Sequence, residues 1–167
     1  RIIFNMKEIN RDMQKVLEAK IGSGKVLILI GPRQVGKTTL LRKILSENFE
    51  NNSVQYWNCD EADVRKILSE ESSARFNSLI GNSKFIVIDE AQRIQNIGLK
   101  LKILHDNFPE VQIAVTGSSA LDLSNTINEP LTGRKFEYNL FPFSTNELVL
   151  NSNMLDEMKR LENRLVY

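Results

Sequence analysis

The sequence predicts an α/β fold built on a parallel sheet, and three observations carry that prediction. Gly31-Pro32-Arg33-Gln34-Val35-Gly36-Lys37-Thr38 matches the phosphate-binding loop pattern GxxxxGK[ST] at every constrained position. The apolar run Phe85-Ile86-Val87-Ile88 reads as a strand buried on both faces, and it ends in two carboxylates, Asp89 and Glu90. Two further strand-like runs, 54–58 and 111–115, alternate with helix-like stretches, as they do in parallel sheets.

Taken in order, Val26-Leu27-Ile28-Leu29-Ile30 is a short apolar strand, and Thr39 to Leu45 has helical spacing of its apolar residues, with the helix starting near Lys37. Strand, loop and helix are the context the loop motif needs. Glycine is required at 31 and 36 so that the backbone turns tightly and aims successive amides inward, while the helix adds its positive dipole end. Gly31, Pro32, Arg33, Gln34, Val35, Gly36, Lys37, Thr38 and Thr39 are therefore the candidate nucleotide-binding residues. Lys37 would reach the β and γ phosphates as a point charge, and the Thr38 hydroxyl is a hard oxygen ligand suited to magnesium. The alternative is a Gly-rich turn before an ordinary helix, but chance would match the four constrained positions only on the order of once in a few hundred such chains.

The next strand, Val54-Gln55-Tyr56-Trp57-Asn58, is followed by a polar helix-like stretch from Asp60 to Leu79. At the carboxyl end of the Phe85–Ile88 strand, Asp89 is placed to hold magnesium through a water, and Glu90 to orient and deprotonate a water for attack on a γ phosphate. A solvated acidic turn is the plainer reading of a lone Asp-Glu pair, and the preceding phosphate loop argues against it. Val111-Gln112-Ile113-Ala114-Val115 ends in Thr116-Gly117-Ser118-Ser119. Thr116 or Ser118 would sense the γ phosphate from that tip, or the turn simply caps a helix beginning near Ala120; both readings stand.

GPRQVGKTTLL, DEAQ, TGSSALDL, Leu131-Thr132-Gly133-Arg134 and Leu140-Phe141-Pro142-Phe143-Ser144 together resemble a widespread prokaryotic AAA+ ATPase family of poorly defined role, over nearly the whole chain from about Asn5. The strand inserted between the loop strand and the acidic strand, with a glutamate beside the magnesium aspartate, is likewise similar to the group that includes AAA+ ATPases and helicase motors. The resemblance implies a P-loop NTPase of AAA+ type: a three-layer sandwich around a five-stranded parallel sheet, the fifth strand being Phe136 to Leu140. It implies magnesium-dependent hydrolysis of ATP, with Lys37, Glu90, Thr116, Ser118 and Arg134 as candidate catalytic residues and Thr38 and Asp89 at the metal. ATP is favoured over GTP by resemblance, and no guanine-reading Asn-Lys-x-Asp motif occurs. Arg134 resembles the arginine that reaches a neighbouring subunit's γ phosphate, which implies a homo-oligomer. The alternative is a surface arginine paired with Glu129 or Glu137.

The bulk properties fit one domain over residues 1–167: 41% hydrophobic content, a formal charge of +1 and no apolar run near the roughly 18 residues needed to cross a membrane. A cytoplasmic ATPase without membrane partners is expected. Nucleic acid is not called for by the net charge, although Arg93, Lys100 and Lys102 are a candidate local basic patch. His105 and Cys59 are the only histidine and cysteine, so neither a metal cage nor an internal disulfide is expected, and Trp57 reads as core. Asp60 and Glu61 read as a solvated turn. The start at Arg1 with Met6 close behind, and the stop at Tyr167 inside an amphipathic pattern from Met154 to Val166, predict an ATPase portion of a longer protein with a C-terminal region or protein partner beyond it. Two other functions fit the motifs: a nucleic-acid-stimulated motor, since DEAQ resembles the acidic motif of some DNA helicases, and an ATP-gated switch with little turnover.

Overall fold

In the computed structural model, which describes residues 9–50, 53–69, 73–118 and 127–151, alternation along the strands divides the apolar side chains between two cores. Val26, Ile28, Ile30, Ile86, Ile88, Ile113 and Val115 face one way, and Leu27, Leu29, Phe85, Val87 and Ala114 face the other. Such strands need cover on both sides.

The elements that supply it are, in order, α1 (Asp12–Glu18), β1 (Val26–Ile30), α2 (Lys37–Asn48), β2 (Val54–Asn58), α3 (Ala62–Ser69), α4 (Ser73–Ile80), β3 (Phe85–Asp89), a 3₁₀ turn (Ala91–Arg93), α5 (Ile97–Asn107), β4 (Gln112–Gly117), β5 (Lys135–Asn139) and α6 (Thr145–Asn151). The five strands are all parallel in the order β2-β3-β4-β1-β5. From β1 the chain steps outward past two strands to β2, then returns through β3 to β4. Because parallel crossovers are right-handed, that reversal puts the helices of the two legs on opposite faces. Leu40, Leu41, Ile44 and Leu45 of α2, with Leu17 of α1, cover one face. Leu68 of α3, Phe76 and Ile80 of α4, and Leu101 and Leu104 of α5 cover the other. Full burial of each such side chain contributes about 1.5–3 kcal/mol.

The sandwich expected from the sequence is thus present, with adjusted boundaries. β1 and β2 occupy the expected residues, β3 takes in Asp89, and β5 starts one residue earlier, at Lys135. β4 runs on to Gly117, so Thr116 lies inside a strand instead of beyond its tip. The stretch from Asp60 to Leu79 is divided into α3 and α4. Ser119, the helix expected near Ala120 and the pattern from Met154 to Val166 lie outside the described residues. Among the described residues no helix is long and apolar enough to cross a membrane.

Several side chains settle into structural roles. Trp57 is buried in the core beneath α3 and α4, while Tyr56 points to the opposite face. His105 Nε2 lies 2.8 Å from the Gly24 carbonyl oxygen, joining α5 to the turn before β1. Cys59 is fully buried, and burial together with Asp89 and Asp60 pushes its thiol up to about 12, so it stays protonated. Of the candidate basic patch, Arg93 and Lys100 line one cavity with Arg65, where Lys100 Nζ donates to the Ser69 carbonyl and Arg93 pairs with Asp60 at 3.2 Å.

At Gly31 the chain passes so close to β5's exit that an added Cβ would sit 2.3 Å from the Leu140 carbonyl oxygen. Gly31→Ala should therefore destabilise the fold by about 1–3 kcal/mol, read from urea unfolding midpoints. An unchanged midpoint would contradict this packing.

Candidate functional site

The sheet's carboxyl edge collects the candidate site residues other than Arg134, because every strand is parallel and ends there. Between β1 and α2 the chain makes the loop Gly31–Gly36. Gly36 has φ of 97° and sits at the helix N-cap, a conformation natural only to glycine. Gln34 also has positive φ, 61°, and as a non-glycine it carries a local cost of about 1–2 kcal/mol. Val35 offsets this by burying its side chain in the α2 core, while its carbonyl accepts a hydrogen bond from Arg11 Nη1 at 3.1 Å.

Lys37, at the start of α2, is 5% exposed and folds back over the loop. Its Nζ donates to the carbonyls of Gly31 at 2.8 Å and Pro32 at 3.0 Å. Burial pushes its pKa down, opposed by Glu90 and then Asp89, with Arg33 adding to the decrease. Pro32, Arg33, Gln34 and Thr39 are exposed at the surface of the loop and helix start.

Asp89, at the end of β3, is buried and is the acceptor on which several elements converge. Thr38 Oγ1 of α2 donates to its Oδ2 at 2.9 Å, Tyr56 OH of β2 donates to the same oxygen, and Thr116 Oγ1 of β4 donates to Oδ1. Burial, then the bond to Asp89, pushes the Tyr56 phenol well above its usual value. The donor set is hard oxygen, a hydroxyl and a carboxylate side by side, and it fits magnesium. Among the described residues no three His, Cys, Asp or Glu side chains form a metal cage, so nucleotide and water would complete such a shell.

Glu90 follows in the left-handed conformation, φ 54°, with its backbone N–H on Thr116 Oγ1 at 3.1 Å. Its carboxylate accepts from Gln92 Nε2 at 2.6 Å, and the same nitrogen is 2.9 Å from Ser118 Oγ. The two candidate sensors therefore differ. Thr116 is fully buried and committed to Asp89 and Glu90, whereas Ser118 is only half-buried and reaches Glu90 through Gln92.

Arg134 does not join this cluster. It precedes β5, its carbonyl accepting from Val26 N at the start of β1, whereas the loop follows the end of β1. Its guanidinium pairs with Asp106 at 3.0 Å, in place of the Glu129 or Glu137 partner expected.

A second constellation was not read from the sequence. Arg11, ahead of α1, pairs through Nε with Glu147 Oε1 at 3.0 Å, lies 4.2 Å from the Phe143 ring centroid, and donates to the carbonyls of Val35 and Phe141. Glu147 also accepts from Asp12 N at 3.0 Å and Ser144 N at 2.8 Å, while Ser144 Oγ accepts from Glu147 N at 3.1 Å, a capping box at the start of α6. The signal Ser144-x-x-Glu147 was visible in the sequence; its partner 136 residues away was not. Beside this group a cavity of about 550 Å³ opens against the loop, lined by Ile9, Arg11, Gln34, Val35, Thr39, Leu40 and Phe143 among others.

Comparison with known proteins bears on the family and the fold. Residues 23–149 match a family described as AAA domain. An uncharacterized protein of Methanocaldococcus jannaschii is 29% identical over 149 residues, covering 88% of this chain and 32% of that protein, so the chain spans about a third of its relative. The Walker-type ATPase of Pyrococcus abyssi superposes with a TM-score of 0.62 at 20% identity, over 93% of this chain and 59% of that one. A chain from the structure of Drosophila ORC bound to DNA superposes with a TM-score of 0.57 at 13% identity, over 83% of this chain and 94% of that one. At these identities the structural likenesses speak for the fold.

Burial pushes the Glu147 carboxyl up, but the amides of Ser144 and Asp12 and the Arg11 guanidinium outweigh it and hold it below the usual range. A depressed folded pKa stabilises above the unfolded value, about 4.3, and that stability is lost as pH falls through the folded pKa. Glu147→Gln should therefore flatten the acid-side loss of stability, measured as urea midpoints from about pH 6 to about pH 3. Parallel wild-type and variant profiles would contradict the role of this pair.

Proposed function

The chain belongs to the AAA domain family, and on that premise we propose that it binds ATP with magnesium and hydrolyses the bond to the γ phosphate. The observation that best supports this reading is the 2.9 Å bond between Thr38 Oγ1 and Asp89 Oδ2, which brings two motifs 51 residues apart to one point at the mouth of the phosphate loop.

In this reading the amides of Gly31–Gly36 and the N-terminus of α2 receive the phosphates, and Lys37 exchanges the Gly31 and Pro32 carbonyls for phosphate oxygens. Thr38 and Asp89 would hold magnesium, which would offset the charge of the phosphates. Glu90 takes a proton from a water as that water's oxygen bonds to the γ phosphorus and the bond to the β–γ bridging oxygen breaks, releasing ADP and phosphate. Ser118 is the better placed sensor, since Thr116 is already spent on Asp89 and Glu90. The cavity beside Ile9, Thr39, Leu40 and Phe143 is the natural receptacle for the base, because it abuts the same loop and is largely apolar. Arg134 sits at the sheet's other end, so any contact it makes with a γ phosphate is on a neighbouring copy, in a homo-oligomer.

A DNA-stimulated motor is the second reading, favoured by the resemblance of Asp89-Glu90-Ala91-Gln92 to the acidic motif of some DNA helicases. Strong stimulation of turnover by single-stranded DNA would support it.

Lys37→Ala should abolish tight binding of ATP in calorimetric titration; unchanged affinity would remove the basis of this account. Glu90→Gln should keep ATP affinity and lose about 10²-fold or more in phosphate release. Specific activity should rise with protein concentration and fall with Arg134→Ala if copies complete each other's sites. Activity independent of both would place Arg134 outside the chemistry.

A further inference from the structure

We infer that Gln92 is a positioning residue for the reaction, its side-chain amide fixing the Glu90 carboxylate and tying it to the Ser118 hydroxyl. This rests on the reading of Glu90 as base. The amide nitrogen has two hydrogens, and its two contacts, 2.6 Å to Glu90 Oε2 and 2.9 Å to Ser118 Oγ, use both.

The backbone is shaped to make this contact. Glu90 takes the left-handed conformation and the chain turns at once into the 3₁₀ turn Ala91–Arg93, closed by Arg93 N on the Glu90 carbonyl at 3.0 Å. That turn folds residue 92 back beside the carboxylate two positions earlier. Gln92 holds this position although its carbonyl oxygen Oε1 is buried with no partner among the described residues, which carries a desolvation cost. A hydrogen bond to a charged carboxylate is among the stronger ones and offsets that cost. The arrangement is therefore held by the donor end of the amide, and an isosteric group without donors would lose it.

The tie also faces the right way. Lys37 of the loop feels the charge of Glu90 and then that of Asp89, both opposing the downward push of burial. Ser118 stands at the end of β4, the strand beside β1, from which the loop departs. Gln92 thus couples the base on β3 to the sensor on β4, and a free Glu90 side chain would sample other rotamers.

The first test needs no turnover. In the nucleotide-free protein the Gln92 side-chain amide protons should resonate well away from free glutamine, exchange slowly, and move in both Glu90→Gln and Ser118→Ala. Resonances at the free position, unmoved by either change, would overturn the inference. In steady-state assays Gln92→Ala and the uncharged, near-isosteric Gln92→Met should each lower kcat by about 10- to 100-fold, with ATP affinity and melting temperature close to wild type. In the Glu90→Gln background Gln92→Ala should have no further effect. If Gln92 served only packing, Gln92→Met would retain kcat, and that result overturns the proposal while leaving Glu90 as base. Full turnover by Glu90→Gln would remove the base reading and this inference with it.

Discussion

The Asp89 carboxylate is the point on which the arrangement depends. A buried charge is tolerated only when hydrogen bonds replace the lost water, and here the replacements come from Thr38 on α2, Tyr56 on β2 and Thr116 on β4. Each donor fixes one element relative to β3. Thr38 ties the helix that follows the phosphate loop to the acidic strand, and Thr116 passes its acceptor capacity on to the Glu90 amide, which sets the turn carrying the proposed base. The sheet order places these donors close together, with β3 next to both β2 and β4 and the loop strand one step further on.

A second charged contact braces the loop from behind. Arg11 and Glu147 have side chains only 8% exposed, and between them they connect the segment before α1, the Val35 carbonyl and the start of α6. Removing one partner of a buried pair strands the other charge, so this group is expected to behave as a unit. It also borders the apolar cavity beside the loop, which links the geometry of the proposed base site to the position of α6.

Most of the fold was legible because its signals are local. The apolar run Val26–Ile30 and the alternation from Val54 to Asn58 mark β1 and β2 to the residue. The Asp60–Leu79 stretch read as one helical segment because a polar pattern does not show where a helix breaks, and α3 and α4 are set by burial of Leu68, Phe76 and Ile80 against the sheet. At the site, residue types and spacing named Lys37, Thr38, Asp89 and Glu90, and the structure brings them into one cluster. What spacing could not show was pairing across the chain. Arg134 meets Asp106 at the end of α5, and Tyr56 read as an ordinary strand residue until its hydroxyl met Asp89. Gln92 stood in plain view within DEAQ, but only the left-handed turn at Glu90 brings its amide onto the carboxylate.

The most direct test of the account is a crystal structure of this chain with magnesium and a non-hydrolysable ATP analogue. The account predicts β and γ phosphates within hydrogen-bonding distance of Lys37 Nζ, magnesium near Thr38 and Asp89, and the base in the cavity beside Ile9, Leu40 and Phe143. A nucleotide bound elsewhere, with Lys37 still on the Gly31 and Pro32 carbonyls, would contradict it.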